Sequence, residues 1–181
     1  MIDPSLAFVT PLRVGVVEVY AVCPHVADRP APSQAAPSQA APWPDWRVLV
    51  LRRAAGTRSP GSWETVHGRI EPGERPEQAA VRELREETNL TPARLYTVTT
   101  QAFYLSGPGT LEVSVAFCAF VDAPTPATLG AEHDRAEWLP PAAAADRFAW
   151  PRERETLRHL EILFAGGDAG PLEDVLRVRL P

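Results

Sequence analysis

A short acidic segment carries the residue types best suited to phosphate chemistry. Glu83, Glu86 and Glu87 recur at three- and four-residue spacing inside a stretch, Pro76 to Thr88, whose composition predicts a helix. Residues three or four apart lie on the same face of a helix, so the carboxylates are expected to crowd together. Mg²⁺ prefers such oxygen ligands and is held by a few carboxylates together with substrate phosphates. The spacing therefore indicates a Mg²⁺–polyphosphate site, with Mn²⁺ also possible; the plainer interpretation is an acidic surface helix.

The residues around this segment predict where the helix begins and ends. Pro72-Gly73 is typical of a turn, and Pro76 suits the first helical position because that position needs no N–H donor. Asn89 suits a left-handed residue that closes a helix. A loop, a helix and a second loop are therefore expected in succession.

The complete segment from Gly68 to Leu90 resembles the Nudix box, G-x5-E-x7-R-E-U-x-E-E-x-G-U, where U is apolar. The matching residues are Gly68, Glu74, Arg82, Glu83, Leu84, Glu86, Glu87 and Leu90. Asn89 stands where the pattern has Gly, and both residue types tolerate positive φ. This long, gapped match over residues 68–90 favours the metal site over the surface helix.

The resemblance implies a fold, a cofactor and roles for individual residues. The fold is α+β: one Nudix domain over residues 1–181, with a mixed β-sheet sandwiched between helices (α/β/α). In the family the box binds Mg²⁺, which implies as ligands the Gly68 carbonyl and the carboxylates of Glu83, Glu86 and Glu87. Arg82 and Glu74 are implied to orient those carboxylates and to tie the loop to the helix. Glu83 is our first choice as general base, and Glu132 is the alternative.

Two segments outside the box bear on the substrate. Val66-His67-Gly68 and Glu132-His133-x4-Trp138-Leu139 are similar to the Nudix branch that contains dATP and dihydroneopterin triphosphate pyrophosphohydrolases. In that branch a Glu at the position of Glu132 reaches the metal, so Glu132 is predicted to be a further ligand. His67 is predicted to contact a phosphate, with an ordinary strand position as the alternative.

Three more side chains are candidates for binding substrate. Trp63 and Trp138 are predicted to line a base pocket by stacking, and core packing is the alternative for each. Arg53, at the charged end of an apolar strand, is predicted to contact the substrate.

These residues lead to three hypotheses of function. The first is a hydrolase that cleaves a nucleoside triphosphate-like substrate, resembling dATP or dihydroneopterin triphosphate, into a monophosphate and pyrophosphate. The second is a hydrolase of dinucleoside polyphosphates such as diadenosine tetraphosphate. The third is a nucleotide-binding regulatory module without turnover, against which the complete set of box carboxylates argues.

Composition excludes several other classes of protein. The net charge of −5 argues against a nucleic-acid binder. All 18 cationic residues are Arg, so P-loop and Schiff-base lysine chemistry are excluded. Cys23 and Cys118 form no metal-binding pair, and Cys118 is expected to be buried. No apolar run is long enough to span a membrane, so we expect a cytoplasmic protein. We further expect a monomer or homodimer that binds a small nucleotide.

The remaining sequence predicts the elements that position this site. Residues 24–45 contain two copies of Pro-Ser-Gln-Ala-Ala and are expected to form a mobile insertion. Strands are predicted at 12–22, 47–53, 63–70, 95–105, 111–121 and 136–139, and further helices at 141–148 and 152–164. The tail, residues 168–181, is ambiguous and offers an edge strand.

Overall fold

The computed structural model describes residues 10–24, 46–122 and 126–180. The strands are β1 (Leu12–Pro24), β2 (Trp46–Arg53), β3 (Trp63–Glu64), β4 (Val66–Arg69), β5 (Arg94–Leu105), β6 (Thr110–Phe120), β7 (His133–Leu139) and β8 (Arg177–Val178). The α-helices are α1 (Pro76–Thr88), α2 (Pro141–Arg147), α3 (Pro151–Phe164) and α4 (Glu173–Leu176), and a 3-10 helix spans Gly170–Leu172.

The strands form one mixed sheet. Its order is β3-β2-β1-β6-β5-β8, with β4 paired to β1 and β7 paired to β2. The central pair, β1 and β6, is parallel, and the other pairs are antiparallel. The short strand β4 therefore lies against the middle of the sheet and delivers the chain directly to the loop before α1.

Helices cover both faces of the sheet because both faces are apolar. Alternate residues of a strand point to opposite faces, so β1 sends Val17, Val19 and Ala21 to one core and Tyr20 and Val22 to the other. The first core includes the buried Ala79, Ala80 and Leu84 of α1. The second includes the buried Leu157, Leu160 and Phe164 of α3. The α/β/α arrangement expected from the sequence is confirmed.

Helix α1 has the bounds that its sequence predicts. Pro76 begins the helix, and the Gln78 side chain accepts a hydrogen bond from the Arg75 backbone N–H at 2.9 Å. Asn89 closes it with φ 58°, and its N–H donates to the Arg85 carbonyl. The left-handed conformation thus occurs at Asn89, the one position where this chain has Asn and the box pattern has Gly.

Other elements differ from expectation mainly at their ends. Strand β7 begins at His133 and not at Ala136, because β2 pairs with it along its whole length and Arg53 of β2 pairs with His133. The region predicted as extended from Trp63 divides into β3 and β4. The tail does add a short edge strand, β8, which pairs with β5. The proposed mobile insertion falls, apart from Pro24, outside the described residues.

Both cysteines are buried and form no disulfide, and Cys118 lies in the core as expected. Among the described residues, no helix combines the length and apolar character that crossing a bilayer requires.

Candidate active site

Glu83 packs against the loop that precedes its own helix. A Cβ placed on Gly68 would lie 1.9 Å from Glu83 Cγ, so any larger residue at this position would force the Glu83 side chain to move. Glu83 Oε1 accepts a hydrogen bond from the Arg69 backbone N–H at 3.2 Å. The Gly68 backbone and the Glu83 carboxylate, both predicted metal ligands, are therefore neighbours.

Arg82 joins the loop to the helix. Its guanidinium makes two hydrogen bonds of 2.9 Å to the carboxylate of Glu74 and one of 2.8 Å to the Arg69 carbonyl. Its Nη1 also donates to Glu83 at 2.8 Å and to Glu86 at 3.1 Å. A planar guanidinium can satisfy all these acceptors at once, whereas an ammonium cannot. The contacts are those that an orienting role for Arg82 and Glu74 requires.

Glu87 is the most deeply buried of the box carboxylates, with 9% of its side chain exposed. Burial, opposed by His67 and assisted by the nearby negative charges of Glu83, Glu64 and Glu132, raises its pKa to about 9. Its Oε2 is buried and has no hydrogen-bond partner among the described residues. A carboxylate so placed favours a cation beside it.

The donor set fits a hard divalent cation, although the carboxylates do not form a ready-made cage. Glu83 and Glu87 share one face of α1, as expected. The Glu86 side chain is 59% exposed and contacts Arg82. No three acidic, histidine or cysteine side chains of the described residues converge closely enough to enclose an ion. The Glu83–Gly68 contact and the burial of the Glu87 carboxylate on the same helix face supply the fit.

Glu132, whose side chain is largely exposed, forms an ion pair with Arg53. Arg53 Nη1 donates to Glu132 Oε2 at 3.0 Å and to Glu64 Oε1 at 3.1 Å. The negative charge of Glu132 contributes to raising the pKa of Glu87. Arg53, predicted to bind substrate, is thus already engaged by two carboxylates.

His67 points towards α3, away from Gly68, because adjacent strand residues face opposite ways. Its ring nitrogens lie 3.6–3.7 Å from carboxylate oxygens of Glu18, Glu64 and Glu153. Burial lowers the pKa of His67, but these carboxylates outweigh burial and raise it to about 10. This acidic setting favours the alternative of a strand position over a phosphate contact.

Two of the acids around His67, Glu18 and Glu153, are fully buried, and each accepts hydrogen bonds from neighbouring groups. Glu18 accepts hydrogen bonds from Arg152 at 2.9 Å and Ser114 at 3.0 Å. Burial raises the pKa of Glu18, but His67 and Arg152 outweigh it and hold that pKa at about 2. Glu153 accepts from the Thr65 backbone N–H at 2.9 Å, and burial raises its pKa to about 7. We call Glu18, His67 and Glu153 the α3-side cluster.

The two candidate stacking residues lie on different faces of the sheet. Trp63 packs against the core under α2 and α3, and the Arg147 guanidinium lies 4.6 Å from its ring centre. Trp138 packs against the core under α1. They do not share one pocket, and core packing, the alternative given above, describes both placements.

Sequence reasoning missed two buried residues beside the box carboxylates, Glu64 and His133. His133 Nε2 lies 3.2 Å from Glu64 Oε1, and His133 Nδ1 lies 3.6 Å from Glu87 Oε2. The available signal was the adjacency of His133 to Glu132 in a segment already singled out. What the sequence does not show is that these residues, 69 positions apart, pair across the sheet.

Comparison with known proteins identifies the class of protein. The NUDIX domain family model matches residues 43–160, and the chain belongs to this family. An octanoyltransferase of Myxococcus xanthus is 38% identical over 117 residues, which is 64% of this chain and 32% of that protein. The matches to curated relatives span only about a third of those proteins' own lengths.

Solved structures agree on the fold. A C. elegans Ap4A hydrolase aligns with a TM-score of 0.63 and 20% identity, over 83% of this chain and 97% of its own. The E. coli dihydroneopterin triphosphate pyrophosphohydrolase aligns with a TM-score of 0.58 and 25% identity, over 81% and 94% respectively.

Proposed function

We propose that this protein is a Mg²⁺-dependent hydrolase of the phosphoanhydride bonds of a nucleoside triphosphate-like substrate, releasing a monophosphate and pyrophosphate. The observation that carries the proposal is the placement of Glu83 and Glu87 on one face of α1, with Glu83 directly against Gly68 and the Glu87 side chain only 9% exposed.

The residues of this chain divide the work. Glu83, Glu87 and the Gly68 carbonyl would hold the cation, with Glu86 and Glu132 at the open side. When bound, the cation would supply neutralisation of charge on the phosphate oxygens and a more acidic water. Glu83 accepts a proton as the water oxygen bonds to phosphorus and the bridging P–O bond breaks; Glu132 is the alternative acceptor. Pyrophosphate leaves with the electrons of that bond.

A substrate resembling dATP or dihydroneopterin triphosphate is supported by the similarity of residues 66–68 and 132–139 to that branch and by the structural likeness to the E. coli dihydroneopterin triphosphate pyrophosphohydrolase. The test is a panel of nucleotides and dihydroneopterin triphosphate with Mg²⁺, with products identified by mass. Glu83→Gln and Glu87→Gln are expected to reduce turnover at least about 100-fold. Glu155→Gln, exposed on α3, is the matched control.

Dinucleoside polyphosphate hydrolysis is the second candidate, because the Glu132-His133-x4-Trp138 segment also suits it. The products separate the two: a nucleoside triphosphate released from a dinucleotide favours the second candidate. Turnover that survives the combined Glu83→Gln and Glu87→Gln changes contradicts the catalytic assignment. Tight nucleotide binding without any turnover favours a regulatory module.

A further inference from the structure

His133 lies completely buried between two carboxylates, one on each side of its ring. Its side chain has 0% exposure. Nε2 is within hydrogen-bond distance of Glu64 Oε1, at 3.2 Å, and Nδ1 faces Glu87 Oε2 at 3.6 Å. The ring therefore connects a strand at the sheet edge to the innermost carboxylate of the proposed metal site.

On the Glu87 side, two unsatisfied atoms face each other. Glu87 Oε2 and His133 Nδ1 are both buried and both lack a hydrogen-bond partner among the described residues. An unpaired buried polar atom is costly, so each is the natural partner of the other. The gap exceeds a normal hydrogen bond by only about 0.6 Å, which a small side-chain rotation closes.

On the far side, the ring is held by groups that are themselves fixed. Glu64 Oε1 also accepts from Arg53 Nη1 at 3.1 Å. The His133 backbone pairs with Arg53 in the sheet, and the Gly130 N–H donates to the Glu87 carbonyl at 3.2 Å. His133 is thus anchored to the sheet, while its loop is anchored to the end of α1.

We propose that His133 is a positioning residue for Glu87: it engages the buried Oε2, so that the other carboxylate oxygen is presented to the cation. This inference rests on the proposed function, since it assumes that Glu87 is a metal ligand. Groups that orient metal ligands in this way commonly change metal affinity by about 10–100-fold when they are replaced.

Two substitutions separate the two nitrogens of the ring. In His133→Asn the side-chain amide nitrogen can take the place of Nδ1 and keeps a donor towards Glu87. In His133→Gln the amide nitrogen can take the place of Nε2 and keeps a donor towards Glu64 only. The matched controls are His159→Asn and His159→Gln on α3, the helix that packs on the opposite face of the sheet from α1.

The primary measurement is Mn²⁺ affinity without nucleotide, by electron paramagnetic resonance titration, with circular dichroism to verify folding. We expect His133→Gln to weaken Mn²⁺ binding about 10-fold or more. His133→Asn should bind Mn²⁺ with an affinity within about threefold of the wild type, because its amide donor still faces Glu87. In turnover assays at saturating metal, His133→Gln should lower kcat more than it raises the nucleotide KM.

A double-mutant cycle tests whether His133 acts through Glu87. In a Glu87→Gln background, adding His133→Gln should leave Mn²⁺ affinity unchanged. If His133→Gln does not fold, Glu64→Gln replaces it; loss of the anchoring carboxylate should weaken Mn²⁺ binding by a smaller factor, and wild-type affinity in that variant overturns the proposal.

The outcomes distinguish this inference from the proposed function. Wild-type protein that binds no Mn²⁺ overturns both. Wild-type protein that binds Mn²⁺, together with folded His133→Gln of equal affinity, overturns only the role of His133. Equal losses in His133→Asn and His133→Gln also overturn it, because the nitrogen facing Glu87 then has no special part.

Discussion

Glu83 occupies the space that any side chain on Gly68 would need. The backbone of β4 and the Glu83 side chain of α1 are therefore in direct contact, with Glu83 Cδ 2.0 Å from the ideal Cβ position. This contact fixes how close the Gly68 carbonyl and the Glu83 carboxylate can come to a shared cation, and it leads to the first prediction.

Gly68→Ala should displace Glu83 and reduce kcat/KM by about 100-fold, because misplacing a catalytic group by about 1 Å costs that much. Steady-state kinetics with the substrate identified in the panel measure the effect. Gly107→Ala is the control, since a Cβ there meets no atom within 4 Å. Activity of Gly68→Ala within threefold of the control would contradict the close packing.

Mg²⁺ should raise the Tm of the wild-type protein, because a ligand that binds only the folded state stabilises it by mass action. At 100 times its Kd the effect is about 2.7 kcal/mol, or roughly 5–10 °C for a domain of this size. The shift should be smaller in Glu83→Gln and unchanged in Glu155→Gln. Melting curves that do not respond to saturating Mg²⁺ would show that the carboxylates are merely solvated.

Arg82→Lys should lower kcat/KM about 10-fold or more while the protein stays folded. Lysine keeps the charge but cannot reproduce the paired 2.9 Å hydrogen bonds to Glu74 together with the bond to the Arg69 carbonyl. Arg85→Lys, exposed on the same helix, is the control. Equal kinetics for the two variants would argue against an orienting role for Arg82.

Glu153→Gln should change how stability depends on pH. Burial raises the pKa of Glu153 to about 7 from an ordinary 4.5, so between these values the folded protein keeps a proton that the unfolded chain releases. The unfolded state then binds fewer protons, and wild-type stability contributed by this group falls as pH rises from 4.5 through 7.

The free energy of unfolding, measured by urea denaturation at pH 5 and pH 8, checks this. From pH 5 to pH 8 the free energy of unfolding of Glu153→Gln should rise, relative to that of the wild type, by on the order of 1–3 kcal/mol. Exposed Glu155→Gln should follow the wild type. A constant difference between Glu153→Gln and the wild type at both pH values would mean that Glu153 does not titrate in this range.

The sequence by itself determined the parts that depend on local physics. Helix propensity, Pro76 at the start and Asn89 at the end define α1 to the residue, since capping and left-handed closure depend only on near neighbours. The spacing of Glu83 and Glu87 placed them on one face for the same reason, and runs of β-forming residues located most strands but not all of their ends.

Only the tertiary structure decided which distant groups meet. The sheet brings His133 to Glu64, and α3 brings Glu153 to the backbone of Thr65, 88 positions away. The same pairing directs His67 into the α3-side cluster and sends Trp63 and Trp138 to opposite faces. Strand order and helix docking set these contacts, and no local periodicity encodes them.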